Sequence, residues 1–487
     1  MYIGRGLLVC FLLASWAQAD SVDRLTLKEA MLRALHNNPH FAELRKQYDQ
    51  LAIAADEPRA AYDPSLSLVA EYSYDKSASY LSIFSSETVA NNLSASYAQL
   101  FEGGWQFDAT LSSNWVKPSP SAFIPLNPYV DSALSISINK PLWRGLDGRE
   151  ERDALEISLA GVRVAEYDLR AQRESVLYQV GLGYWNWVRA TEIKRLKDES
   201  YKLARQLQDI VAGKSQRGLS ERRDVLQTQA LELLRKQEAL TAQQEVERAW
   251  EQLQQALYEN PDSRFIPDFT YQPVLSFSEF SVLLERAKSH RQDREQLLKK
   301  QRVADMQIRL YQEQLRPELN LSGGVESTGL KGDYSASLAN LLTLNNPVYT
   351  VGLTYVPALS RRVEQLKLEQ SIAERDRIDE TLRAFDLDLA YAIRRQINSV
   401  YTLGERADTA QKLAGVQRAK LNNEIEELSI GRSSIQTVVD FQNDYVNAQM
   451  QLVQAQVDRE LSRLQVLFLQ HSLYESFIEL QSEASAS

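Results

Sequence analysis

From Gly148 to Ala212 the chain runs without a proline and is rich in Leu, Ala, Arg, Glu and Gln. As one helix this stretch would reach about 95 Å, at about 1.5 Å per residue. That is far longer than a compact domain accommodates, so the stretch has to be part of an extended bundle. A second such segment runs from about Ser360 to Ser429, and each is followed by a partner, Ser220 to about Glu259 and Ser433 to about Ser476. In the second long segment Ile378, Leu382, Phe385, Leu389 and Ala392 alternate steps of four and three. That spacing is the heptad of a left-handed coiled coil.

Each long segment breaks at a short motif. The first is Gly218-Leu219-Ser220-Glu221-Arg222-Arg223-Asp224-Val225 and the second is Gly431-Arg432-Ser433-Ser434-Ile435-Gln436-Thr437-Val438-Val439-Asp440. Both place Gly, then Ser, then a carboxylate just past the break. They are expected to be the two helical hairpin turns of one duplicated unit, at the far end of a long tube.

The duplication extends to the rest of the chain. Leu25-Thr26-Leu27-Lys28-Glu29-Ala30 opens a helix with Thr26 as N-cap and Glu29 completing a capping box. Asn38-Pro39 ends it, a second helix follows from about His40 to Ala60, and Asp63-Pro64 turns the chain into an extended segment. The same order returns in Phe277 to Ser289, Gln292 to Leu315 and Arg316-Pro317.

Between the helices the periodicity changes from helical to two. Leu66, Leu68, Ala70, Tyr72 and Tyr74 alternate with polar residues, as do Phe107, Ala109, Leu111 and Trp115, then Leu134, Ile136 and Ile138. In the second half Leu319, Leu321, Gly323 and Val325 form a strand, and Tyr349, Val351, Leu353 and Tyr355 its return. Strands of about ten residues, aromatic near their ends and polar on alternate positions, match a membrane barrel with a wet lumen.

The two halves are not equal. Pro64 and Pro317 lie about 253 positions apart, Pro141 and Pro357 about 216, and Gly218 and Gly431 about 213. The first half therefore carries an insertion of about 37 residues between Asp63 and Pro141. An additional hairpin fits there, Leu93 to Gln99 and Gln106 to Trp115, joined by a Glu102-Gly103-Gly104 turn. Its strands either join the barrel wall or stand above it.

The expected domains are a signal peptide at 1–19, a first repeat at 20–260 and a linker at 261–275. A second repeat at 276–476 and a tail at 477–487 complete the chain. The first repeat holds the inserted hairpin near 77–131 and a helical hairpin at 148–259; the second holds one at 360–476. The signal consists of Arg5, the apolar run Gly6 to Trp16, and Ala17-Gln18-Ala19 before Asp20. Cys10, the one cysteine, lies inside that run behind Val9, so neither lipidation nor a disulfide is expected in the mature chain. The formal net charge is −10 with no basic tract, which argues against a nucleic-acid partner. No later stretch reaches about eighteen apolar residues, so any membrane crossing must be a β-barrel.

Four to six strands cannot close a barrel alone, since closed membrane barrels begin at about eight. Copies of the chain must share one. Three copies would give twelve strands, or eighteen with the additional hairpin.

These features resemble the TolC-like outer-membrane efflux proteins, through the Leu25–Ala30 opening with Asn38-Pro39, the helix-strand-strand-helix-helix order used twice, and the paired turn motifs. The resemblance implies a mixed fold, an all-α coiled coil plus a membrane β-barrel with internal duplication, assembled as a homotrimer in the outer membrane. It implies no enzymatic activity, cofactor or metal. Its implied partners are outer-membrane lipid, a periplasmic adaptor and, through the adaptor, an inner-membrane transporter in a tripartite efflux or type I secretion system. It places Asp440 at the second acidic position of a periplasmic gate, Thr437 at the first, and Asp224 at a latch between neighbouring helices. Ser433 stands where the family has a latch arginine, leaving Arg432, Arg217 or Arg223 to replace it. Gly218, Leu219, Ser220, Gly431 and Ser433 become the turns an adaptor would contact. The alternative for Asp224 and Asp440 is that each is a solvated first-turn residue favoured by the helix dipole.

Two rival classes carry less. Gly213-Lys214-Ser215 looks like the end of a P-loop, but Gln208 stands where the earlier glycine belongs. His36 and His40 are spaced i, i+4 without an acidic third ligand. A periplasmic coiled-coil scaffold would explain the helices but not the alternating strands between them in both halves.

Overall fold

The computed structural model describes residues 23–76, 87–119, 125–218, 220–271, 279–343, 347–359, 361–430 and 432–477. The predicted signal peptide and nearly all of the predicted tail lie outside them. The first half runs β1 (Asp23–Thr26), α1 (Leu27–Asn37), α2 (Pro39–Ala54), β2 (Ser65–Asp75), β3 (Glu87–Leu100), β4 (Gln106–Ser119), β5 (Tyr129–Pro141), α3 (Arg149–Gln216) and α4 (Arg222–Leu257). After β6 (Phe265–Asp268) come α5 (Phe280–His290), α6 (Gln292–Gln314), β7 (Glu318–Lys331), α7 (Tyr334–Leu342), β8 (Pro347–Val356), α8 (Arg362–Ser429), α9 (Ile435–Leu469) and α10 (Leu473–Phe477). The order confirms an internally duplicated α/β fold, with both long helices 68 residues in length.

Two compact units share these elements. The first takes in Met1–Arg45, Leu169–Gln292 and Phe385–Ser487. Its core gathers Leu25, Met31, Leu177, Tyr184, Trp187, Leu253, Leu257 and Leu464, all nearly sealed from solvent. The expected capping box opens α1: Glu29 N donates to Thr26 Oγ1 at 3.2 Å, and Thr26 N donates to Glu29 Oε2 at 2.9 Å. The segment read as a linker does more than connect. Its strand β6 pairs in parallel with β1, Thr26 opposite Asp268. The Tyr184 hydroxyl donates to the Asp268 carbonyl oxygen at 2.7 Å and lies 3.1 Å from that of Leu25, fastening both strands to α3. Burial first, then the Asp268 and Glu29 carboxylates, push the Tyr184 phenol up, so it stays a donor. Residues 272–275 of that segment lie outside the described residues.

The second unit takes in Lys46–Asp168 and Asp293–Ala384. It holds one antiparallel six-stranded sheet in the order β2-β3-β4-β5-β7-β8. The inserted hairpin is therefore part of the sheet, as β3 and β4. Where β5, β7 and α8 meet the helices, Arg144 bonds Glu150 at 2.6 Å and Glu318 at 2.8 Å, and Arg361 lies 3.3 Å from Glu318.

The hairpin's inner turn is seated on the β5–α3 corner. Gly104 and Gly148 both have left-handed backbone, φ +74° and +68°. A Cβ on Gly148 would stand 2.3 Å from the Glu102 carbonyl oxygen. Gly148→Ala should cost about 1–2 kcal/mol from the left-handed penalty alone, with the clash in addition. A lowered thermal-unfolding midpoint is the expected readout; an unchanged midpoint would mean that the turn does not seat on this corner.

Candidate functional site

The sheet has one apolar and one polar face. Period two and the strand register put Leu66, Leu68, Tyr72, Leu93, Ala95, Tyr97, Phe107, Leu111 and Trp115 on one side. Leu134, Ile136, Ile138, Leu321, Val325, Tyr349, Val351, Leu353 and Tyr355 continue it. The other side carries Ser67, Ser94, Ser96, Thr110, Ser112, Asn114, Ser135, Ser137, Ser322 and Thr354. The apolar side is open to solvent in the single chain, with Leu68 75% and Val351 85% exposed. An apolar face of this extent on a folded chain marks a surface made for lipid or another chain.

The strand ends are staggered. Ser65, Ala98, Asp108, Ser137, Gly324 and Thr350 lie on one hydrogen-bonded row. β2 starts in that row, whereas β5 runs four residues past it to Pro141 and β8 six residues past it to Val356. At about 3.3 Å per residue and about 4.8 Å per strand, that stagger is a tilt of about 40°. Membrane barrels tilt their strands by about 35–45°. Counted from the staggered ends, Tyr97, Phe107 and Tyr355 lie near one rim of the apolar band and Tyr72, Tyr74, Trp115 and Tyr349 near the other. This is the arrangement of two aromatic girdles.

Helix α7 was not foreseen. It lies on the apolar face near the second rim, with Ser337 Oγ 2.5 Å from the Gly329 carbonyl oxygen and 2.9 Å from Ser132 Oγ. Leu341 is buried beneath it. Gly329 allows the approach, since a Cβ there would meet the Ser337 carbonyl oxygen at 2.2 Å. Its local signal was Asp333, which caps α7 by accepting from Ala336 N at 2.9 Å.

The two helical turns belong to the other unit and come together there. Leu207, Val211, Leu421, Leu428, Val438 and Tyr445 form one apolar cluster. Lys214 Nζ donates to the Leu428 carbonyl oxygen at 3.1 Å, and Gln227 Nε2 to Gln436 Oε1 at 2.7 Å. The Gly-Lys-Ser fragment that resembled a P-loop thus supplies a cation to a helix C-terminus, where the dipole favours it.

Asp224 sits in the first turn of α4, with Ser220 Oγ 3.2 Å and Arg223 Nε 3.8 Å from its carboxylate. Of the three arginines left open as its partner, Arg223 is the one beside it, and all three are exposed. Asp440 is exposed on α9 and accepts from Gln436 Nε2 at 2.9 Å. Thr437 is turned inward locally, its Oγ1 2.8 Å from Oγ of Ser434, the N-cap of α9. Ser433 donates to Glu424. Gly218 has φ +73°, and an added Cβ would meet nothing within 4 Å, so the backbone requires this glycine and the space beside it is open. Leu219 and Gly431 lie outside the described residues.

The sequence reading also passed over a seam on α4. Leu226, Leu233 and Leu240 repeat every seven residues and are 56%, 67% and 61% exposed. Such a stripe has the spacing of one row of a coiled-coil seam and is uncovered in the single chain.

Among the described residues no helix is long and apolar enough to cross a membrane, and no group of three or more His, Cys, Asp or Glu could hold a metal. No family model matches the chain, and no curated protein matches it. Solved structures do. The outer membrane protein VceC from Vibrio cholerae aligns over 91% of this chain and 96% of its own, with TM-score 0.67 and 15% identity. The Campylobacter jejuni CmeC outer membrane channel aligns over 94% and 89%, with TM-score 0.66 and 17% identity. The Neisseria gonorrhoeae MtrE outer membrane channel, solved in its open state, aligns over 92% and 88%, with TM-score 0.61 and 16% identity. The chain has the fold of these outer-membrane channels, the TolC-like architecture that the sequence led one to expect.

If the leucine seam meets a second copy, Leu233→Asp should abolish association while leaving the protomer's helical circular dichroism unchanged. Oligomers of undiminished stability in detergent would show that the seam is not an interface.

Proposed function

We propose that the chain is one third of an outer-membrane duct that carries solutes from the periplasm, or from an inner-membrane pump reached through a periplasmic adaptor, to the outside. The observation that carries this reading is the sheet: apolar on one face, polar on the other, tilted, and unpaired at both edges. A lipid-facing edge leaves backbone N–H and C=O groups without partners, so the sheet must close. The exposed seam on α4 supports the same conclusion for the helices. Purified protein should run as a heat-modifiable trimer from outer-membrane fractions and form channels in planar bilayers. Recovery as a soluble periplasmic monomer would instead favour the scaffold.

In this reading the two helical turns form the periplasmic end of the duct, and Asp440 contributes one carboxylate per copy to its narrowest ring. Three like charges about a narrow pore attract cations. Thr437 stands where a second acid would thicken that ring, and its hydroxyl faces the α9 cap. Asp224 lies at the opposite turn beside Ser220, and Arg217, Arg223 and Arg432 all lie on the surface there. Asp440→Ala should weaken single-channel block by divalent cations; unchanged block would remove Asp440 from the pore.

Gly218, with Leu219, Ser220, Gly431 and Ser433, offers the surface on which adaptor tips pack. Asn accepts left-handed backbone where Leu does not. An adaptor contact therefore predicts weaker adaptor crosslinking for both Gly218→Asn and Gly218→Leu with the trimer intact. A folding role predicts damage from Leu alone.

A further inference from the structure

We infer that every copy places six strands in the membrane wall, so that three copies close an eighteen-stranded barrel in which the β8 edge of one copy pairs with the β2 edge of the next. The inference rests on the duct reading above and adds the width of its membrane section.

Four observations carry it. First, β3 and β4 are wall strands by register: β3 pairs with β4 from Glu87 opposite Ser119 to Leu100 opposite Gln106, and β4 pairs with β5 from Gln106 to Val116. Second, their side chains obey the alternation of the others. Leu93, Ala95, Leu111 and Trp115 lie on the apolar side, and Asn92, Ser94, Ser96, Thr110, Ser112 and Asn114 on the polar side. A hairpin standing in water above the membrane would have no use for an apolar side continuous with Leu68 and Leu134. Third, all five pairings are antiparallel, so the two edge strands run in opposite directions. An edge-to-edge contact between copies is then antiparallel too, and the wall closes without a change of pattern.

The fourth is width. Only β2, β5, β7 and β8 continue into helices, namely from α2, into α3, from α6 and into α8. Four helices side by side occupy about 32–40 Å, at about 8–10 Å between axes. Strands tilted by about 40° occupy about 6.3 Å each around a barrel, so six span about 38 Å and four only about 25 Å. On these spacings six strands, and not four, match the width of four helices packed in a row.

The consequence is a larger pore. At that tilt a wall of eighteen strands has a backbone radius of about 18 Å, against about 12 Å for twelve. Walls of that strand number leave an aqueous channel. The added lining is small and neutral apart from Asp108, so the membrane section selects little by charge and admits bulky polar solutes.

The test is a distance. The predicted mature chain has no cysteine, so Ser135→Cys on the central strand β5 takes a single spin label per copy. Three-fold related sites lie about 1.7 times the radius apart, which gives about 31 Å between backbone positions for eighteen strands and about 21 Å for twelve. Double electron–electron resonance on the trimer in nanodiscs should return the longer value after correction for the label. Excision of 77–128, with β2 rejoined to β5 through a two-residue turn, keeps the up-down alternation and should shorten it to about 21 Å. Should that variant not fold, the distance in the uncut chain still decides. The shorter value in the uncut chain would overturn the six-strand contribution alone. The absence of any inter-copy distance would overturn the duct itself.

Discussion

A hydrogen-bonding edge cannot be left open in lipid. Each unpaired backbone group there costs several kcal/mol, and both edge strands of this sheet, β2 and β8, present a full row of them. No rearrangement within one chain removes that cost. Six strands tilted by about 40° curve through only part of a circle at the radius such tilt permits. Assembly is therefore a condition of residence in the membrane. The helices meet the same condition independently, because Leu226, Leu233 and Leu240 are left uncovered by the chain's own packing.

Local chemistry was legible in the sequence wherever a few neighbouring residues decide the outcome. Thr26 and Glu29 announced α1, Asp63-Pro64 and Arg316-Pro317 announced the change from helix to strand, and period two announced five stretches of the sheet. Elements settled by distant partners were not. β6 is a strand because β1 lies beside it and Tyr184 holds both, and nothing near Phe265 signals that. α7 forms because Gly329 and Ser132 leave a shallow seat on the sheet for Ser337. The seam on α4 was different, since its seven-residue spacing was written plainly but could be told from a core stripe only by burial. At the turns, the identities of Asp224, Asp440 and Thr437 were visible, while the pairing of Arg223 with Asp224 needed coordinates.

The insertion changes the meaning of the duplication. Among the described residues the first repeat holds four helices and the second six, and to the six-stranded sheet the first supplies four strands and the second two. The two halves match in their long helices, α3 with α8 and α4 with α9, and differ in what they give to the sheet. The join between them is the β5–β7 ladder, Val130 opposite Lys331 to Pro141 opposite Asn320, shorter only than the β3–β4 ladder of the inserted hairpin. Gly104 and Gly148 complete the adjustment at the inner rim, because only residues without a Cβ allow the new turn to close over the corner where β5 becomes α3.

Along the first unit the same helices are anchored unequally. Around Tyr184, α3 is fixed by Trp187, Trp250, Leu253 and Leu464 and by a buried hydroxyl that ties two strands to it. Near its end, α3 meets α8 and α9 through a smaller cluster, one lysine on a carbonyl and one glutamine pair reaching across the turns. Segments with few buried apolar contacts and exposed polar ties open at lower free energy than the core they extend from. The Arg223–Asp224 pair adds little to that end, since exposed ion pairs contribute about 0–1 kcal/mol. A helix held firmly at one level and lightly at its tip can move the tip without disturbing the fold. Asp224, Thr437 and Asp440 lie on that lightly held end.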